Sequence, residues 1–268
     1  MFYDPMISKI CTHSENRNKS SEIMINALDR YLINGVKTNK EFLSNILQTK
    51  DFQNSNISTN FISINYPKGY ISQQLDKKLD DEIVSIATFI HYKYMIRAAS
   101  ISNQVKGFQK FVPNNWNVIC SNFTVKTKIS FNSYNQNYDI FVNSKYLKVK
   151  SDWSIGFPLL SALIGNKLYY YEIDRDGPKY TITHKGKKFD VIVLSNRHAE
   201  LNSLMLPPKK SDTSKFLLSP MPGLLVSILV AKGQKVQQDE AIAVVEAMKM
   251  ENILRAEKEC KIKKSFPK

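Results

Sequence analysis

Phe123-Thr124-Val125-Lys126-Thr127-Lys128-Ile129-Ser130 is the stretch whose reading decides the fold. Apolar Phe123, Val125 and Ile129 alternate with Thr124, Lys126, Lys128 and Ser130, the period of two expected of a strand with one buried face. Upstream of Pro113 the period is different. Ile83, Ile86, Ala87, Ile90 and Tyr94 recur at helical spacing, with Asp80, Asp81 and Glu82 at the positive end of the helix dipole and Lys93 and Arg97 toward its negative end. Downstream, Leu168 to Ile173, Tyr180 to Thr183 and Phe189 to Leu194 are aromatic and β-branched, and His184-Lys185-Gly186-Lys187 reads as the hairpin between the last two. The middle of the chain is thus one long helix followed by an antiparallel sheet, and the fold class is α+β.

Residues 1–69 read as helical. Met24, Ala27, Leu28, Tyr31 and Leu32 form one apolar stripe, with Gly35 placed for a left-handed cap after it. Thr38 and Glu41 have the spacing of a capping box ahead of Phe42, Leu43, Ile46 and Leu47. The helix and sheet occupy 70–205, and the proline-rich, polar run at 206–216 reads as a linker. A small all-β domain follows over 217–268, with turns at Pro220-Met221-Pro222-Gly223 and Lys232-Gly233-Gln234 and a short apolar strand from Ala241 to Val245.

Composition excludes several function classes. The formal charge of +14 invites a nucleic-acid reading, but the lysines are scattered through turns and linkers without a recognition helix or an aromatic RNA-binding pattern, so no nucleic-acid partner is expected. The nine glycines stand singly, which removes the clustered backbone N–H groups that a dinucleotide fingerprint or a P-loop needs. His13, His91, His184 and His198 have no zinc spacing, and Cys11, Cys120 and Cys260 form neither a disulfide framework nor a thiolate metal site. No membrane partner is expected, because there is neither a long apolar run nor a signal peptide, and the expected location is cytoplasmic.

The remaining chemistry lies in Glu246-Ala247-Met248-Lys249-Met250. A lysine amine is protonated at neutral pH, so acylating one lysine among many requires an enzyme that recognises its position, and a tight hairpin supplies such a position. Read alone, Lys249 is equally a surface lysine between two methionines that pack into a core.

The ordered runs Ser219-Pro220-Met221-Pro222-Gly223-Leu224, Lys232-Gly233-Gln234-Lys235-Val236 and Val245-Glu246-Ala247-Met248-Lys249-Met250-Glu251-Asn252 resemble a biotinyl carrier domain. That resemblance implies a flattened β-barrel with biotin on Lys249 and a recognition context of Glu246, Ala247, Met248 and Met250. Lipoyl domains share the fold, but a lipoyl lysine lacks the flanking methionine pair. The rest of the chain is similar to the alpha chains of biotin-dependent acyl-CoA carboxylases. Phe2-Tyr3-Asp4-Pro5-Met6-Ile7-Ser8-Lys9 through Gly35-Val36-Lys37-Thr38-Asn39 to Phe61-Ile62 resembles the end of a biotin carboxylase domain. Residues 70–205, closing with Ala199-Glu200-Leu201-Asn202, resemble the domain that docks onto the carboxyltransferase beta subunit. This interior domain favours the propionyl-CoA carboxylase family over the methylcrotonyl-CoA carboxylases.

The resemblance also implies partners and omissions. The partners are the beta subunit, a biotin protein ligase and the rest of an alpha chain. The family's ATP-grasp region, metal-binding carboxylates and catalytic arginine precede the part matched here, so ATP and Mg are not expected to bind, and no catalytic or metal-binding residue is assigned. The chain reads as part of a ligase without its ATP-binding region. Its helices at 16–53 are expected to keep apolar faces without their usual partners. The carrier domain reads as incomplete, with open strand edges, and Lys249 is accordingly expected to be poorly biotinylated in this chain alone. An inactive remnant that binds the beta subunit without biotin is the alternative.

Overall fold

The computed structural model describes residues 6–70, 80–107, 110–121, 123–206, 216–247 and 250–263. Most of the expected linker, the start of the expected docking domain, and Met248 and Lys249 lie outside the described residues. The chain divides into two compact units, Met1–Met205 and Leu206–Lys268.

The first unit opens with α1 (Arg17–Arg30), α2 (Lys40–Gln48) and two short helical turns, α3 (Lys50–Gln53) and α4 (Phe61–Asn65). Two boundary expectations fail here. Helix α1 ends at Arg30, with Tyr31 already extended, so Gly35 sits in a separate turn instead of capping the helix. Thr38 and Glu41 do not form a capping box. The N-cap of α2 is Asn39 without a side-chain bond, Thr38 Oγ1 accepts from Lys40 N at 3.4 Å, and Glu41 instead faces Lys188 Nζ at 3.4 Å. A long-range charge has taken the carboxylate that local capping would have used. The apolar faces expected on these helices are present. An open groove of about 770 Å³ runs among Ile10, Met24, Leu28, Leu43, Leu47 and Phe52.

Helix α5 (Asp81–Ala99) begins with Asp81 and Glu82 in its first turn and ends with Arg97 in its last, as the dipole favours. Its first half is enclosed on every side. Ile83, Val84, Ile86, Ala87, Phe89 and Ile90 are buried, and so are Ser85 and Thr88 on what the sequence presents as a polar face. The enclosure comes from eight strands in sequence order: β1 (Asn115–Cys120), β2 (Phe123–Asn132), β3 (Asn137–Val142), β4 (Lys145–Lys150), β5 (Leu159–Ile164), β6 (Lys167–Asp176), β7 (Lys179–His184) and β8 (Lys187–Leu194). Each pairs antiparallel with the next, and β1 pairs with β8 to close a barrel. Closure removes the sheet edges, and α5 packs against β1, β2, β3, β4, β7 and β8. The buried hydroxyls survive because the helix satisfies them. Ser85 Oγ donates to Asp81 O, and Thr88 Oγ1 to Val84 O, both at 2.8 Å, while Thr127 of β2 meets Thr88 at 3.1 Å. The alternation in β2 is as the sequence reads, with Thr127 and Ile129 buried and Lys126, Lys128 and Ser130 exposed. Helix α6 (Asn196–Ser203) follows β8, capped by Ser195.

The second unit contains β9 (Leu224–Ile228), β10 (Lys235–Val236), β11 (Ala241–Ala247), β12 (Met250–Arg255) and β13 (Cys260–Lys261). They form a three-stranded sheet in the order β12-β11-β9 and a two-stranded sheet of β10 and β13. Its small core is Val230, Val236 and Ala256, with Ile242, Cys260 and Ile262 packed against it.

Candidate functional site

Strands β11 and β12 form a hairpin whose described ladder runs from Ala241↔Arg255 up to Glu246↔Glu251 and Ala247↔Met250. Ala247 is buried and Met250 is 58% exposed, so the two flanks of the hairpin differ sharply in solvent contact. Glu246 and Glu251 stand directly opposite each other, a like-charge pair that disfavours the ladder locally. Lys249 and Met248 fall between Ala247 and Met250 in sequence and outside the described residues, so the site is built from what surrounds them.

The run from Ser219 to Gly223 supports the turn end of this hairpin. Ser219 Oγ donates to Met221 O at 2.7 Å, a turn bond that folds the chain back before β9. Met221 is buried, and Asn252 Nδ2 of β12 lies 3.7 Å from its sulfur. Gly223 lies so close to β11 that a Cβ there would stand 2.5 Å from Glu246 O and 2.8 Å from Val245 Cγ1. Residues some twenty-five positions apart, quoted above only as parts of one motif, therefore converge on one hairpin. The individual roles of Met221, Gly223 and Asn252 are not legible from spacing; a Pro-Gly pair ahead of a strand is the one local signal of a close backbone approach.

Around the hairpin, β9 and β12 carry exposed apolar side chains, including Leu224, Val226 and Ile253. Among the described residues, no group of three or more His, Cys, Asp or Glu is placed to hold a metal ion, and no helix is long and apolar enough to cross a membrane. Cys11, Cys120 and Cys260 are unpaired thiols, and burial pushes the Cys120 thiol above its ordinary range.

Comparison with known proteins gives these features a family. Residues 1–64 match the biotin carboxylase C-terminal domain, residues 83–209 the propionyl-coenzyme A carboxylase BT domain, and residues 215–265 the family described as biotin-requiring enzyme. The propionyl-CoA carboxylase alpha chain of Ruegeria pomeroyi is 33% identical over 260 residues, covering 96% of this chain and 38% of the relative. The human mitochondrial propionyl-CoA carboxylase alpha chain is 32% identical over 263 residues, covering 96% and 36%. The alpha subunit of mitochondrial methylcrotonoyl-CoA carboxylase from Dictyostelium discoideum is more distant, at 26% identity over 278 residues, covering 96% and 37%. The chain spans little more than a third of the length of these relatives. With three successive domain matches and similarity along nearly its whole length, the chain belongs to the propionyl-CoA carboxylase alpha-chain family.

Proposed function

We propose that this chain is the carrier and docking portion of a propionyl-CoA carboxylase, with biotin in amide linkage to Lys249 Nζ. The observation that carries the reading is the β11–β12 hairpin. Its ladder ends at Ala247↔Met250, on either side of the two residues Met248-Lys249, and Met221 and Gly223 brace that same end. A biotin protein ligase would read Glu246, Ala247, Met248 and Met250 as the context of the lysine. Bound biotin supplies the group that takes up and releases carboxylate. The chain's own contribution is to hold that group at the end of the hairpin ladder and, through the barrel and its enclosed helix α5, to seat it on a carboxyltransferase beta subunit where propionyl-CoA is bound. The ATP-dependent step is assigned to other parts of an alpha chain. The organisation proposed is 1–69, 70–205, a linker at 206–216, and 217–268. A cytoplasmic, reducing setting is part of the proposal, supported by the three unpaired thiols.

Incubation with biotin protein ligase, biotin and ATP tests it directly. Streptavidin should give the wild-type chain a weak but definite signal, in keeping with the poor labelling expected of it, and miss Lys249→Arg, which keeps the charge but offers no acylable amine. Labelling of both equally would sink the assignment. A second reading, favoured by the exposed apolar residues of β9 and β12, is that the chain binds a beta subunit without accepting biotin. Co-purification with the beta subunit and no streptavidin signal would select it, as would a labelled chain with no co-purification reject it.

A further inference from the structure

The helical segment at 17–70 meets the barrel through one hairpin, the turn between β7 and β8, with β6 beside it. Asp29 Oδ1 of α1 accepts from Lys185 N at 2.8 Å, Gln48 Nε2 of α2 donates to Lys185 O at 2.8 Å, and Tyr70 Oη donates to Gly186 O at 2.9 Å. Two ion pairs flank the turn, Lys40 with Glu172 at 2.5 Å and Glu41 with Lys188 at 3.4 Å. Gly186 is pressed against α2 so closely that a Cβ would stand 2.5 Å from Glu41 O.

This joint is polar, and the barrel's core does not extend into it. Every fully buried apolar residue of that core belongs to α5, to the barrel strands or to Trp153, and none to α1 through α4. The Asp29 side chain is 5% exposed at this joint, with its Oδ2 3.1 Å from His184 Nδ1, whose ring N–H donates to Tyr170 O at 2.8 Å.

We infer that the joint is releasable: the helical segment lifts off the β7–β8 hairpin as a folded piece while the barrel stays intact. Resting on the function proposed above, this joint sets the distance between the carboxylase-derived segment and the docking barrel. Interfaces between parts of one chain that are polar and modest in extent are those that open most readily.

Hydrogen exchange with mass spectrometry on the full chain tests the inference without biotin or beta subunit, so its outcome is independent of carrier function. Asp29→Lys places a cation against His184 and Lys185, and Gly186→Ala drives a methyl into the α2 backbone. Both should speed exchange about tenfold in the α1, α2 and 184–188 peptides, leave β1 to β4 unchanged, and preserve helical circular dichroism. Faster exchange throughout the barrel strands, loss of helicity, or no change in either variant would each overturn it.

Discussion

Replacing Gly223 by alanine places one methyl group where the structure has no room. The nearest atom to the new Cβ is a backbone oxygen, Glu246 O at 2.5 Å, which cannot rotate aside, and the next is Val245 Cγ1 at 2.8 Å. Ordinary van der Waals contact needs nearly 1 Å more, so β9 must part from β11 near the turn end of the hairpin by roughly that amount. The backbone at Gly223 is not in the left-handed region, so the cost is steric alone. Overpacking of this kind costs about 1–3 kcal/mol. A unit the size of Leu206–Lys268 has a total stability on the order of 3–9 kcal/mol, and its few buried apolar side chains, of which Val236 alone among the described residues is completely buried, put it toward the low end. The displaced strand pairing includes Glu246↔Leu224 and Val245↔Leu225, so amides of β9 and β11 should exchange roughly 5- to 150-fold faster, at tenfold per 1.4 kcal/mol. Leu224→Ala, which trims a side chain that is 69% exposed, serves as the control and should change little. Exchange in Gly223→Ala indistinguishable from that control would refute the claim that this close approach braces the hairpin.

Two further expectations concern the barrel. Phe89→Ala empties a site that is fully buried and in edge contact with the Tyr138 ring at 5.0 Å, so the barrel should lose about 3–5 kcal/mol by denaturant titration; a loss under about 1 kcal/mol would contradict the enclosure of α5. His91 is held neutral, its pKa lowered to about 4 chiefly by burial and further by Arg175 and Lys110. Its contribution to stability is therefore complete above the unfolded value near 6.5 and is lost as pH falls from there toward 4, an effect on the order of 3 kcal/mol, because the unfolded chain takes the proton first. His91→Gln should flatten that part of the stability profile, and an unchanged slope would count against it.

What was legible in the sequence follows from which interactions are local. The alternation at Phe123–Ser130 and the apolar stripe from Ile83 to Tyr94 each report a period set by backbone geometry, and both elements are present. The extent of burial around α5 was not legible. Ser85 and Thr88 mark a polar face by residue type, yet each hydroxyl is satisfied inside the helix by a carbonyl four residues back, which frees that face to be enclosed. Strands β1, β3 and β4 carry too many polar or aromatic residues at mixed positions, as in Asn115-Trp116-Asn117, to be told from loops by period alone, while β5, Leu159-Leu160-Ser161-Ala162-Leu163-Ile164, is a short apolar run with no period of two. The capping box failed for the opposite reason, since Glu41 has a partner 147 residues away in Lys188 that no local rule can anticipate. Around the β11–β12 hairpin, the ordered motif named segments that pack together, while the contact of Gly223 with Glu246 depends on a strand pairing that only folding creates.

These two kinds of legibility bear on how the units divide their work. The barrel is closed, its helix is enclosed, and the hydroxyls of Ser85, Thr88 and Thr127 are paired internally, so its core is built from contacts within residues 80–205. The Leu206–Lys268 unit presents the reverse condition: a two-sheet arrangement with a small buried core and apolar side chains on its outer strands, held in register by the β11–β12 hairpin and by β9 along β11. A carrier lysine needs a rigid local ladder more than a deep core, because the modifying enzyme reads a few residues around one turn. A docking surface needs a shape that does not yield when a partner presses on it. Under the function proposed above, a destabilising change in the Leu206–Lys268 unit should reduce biotin acceptance while leaving beta-subunit binding intact, whereas Phe89→Ala should weaken beta-subunit binding first. Loss of both together from either change would mean that the two units do not fold independently.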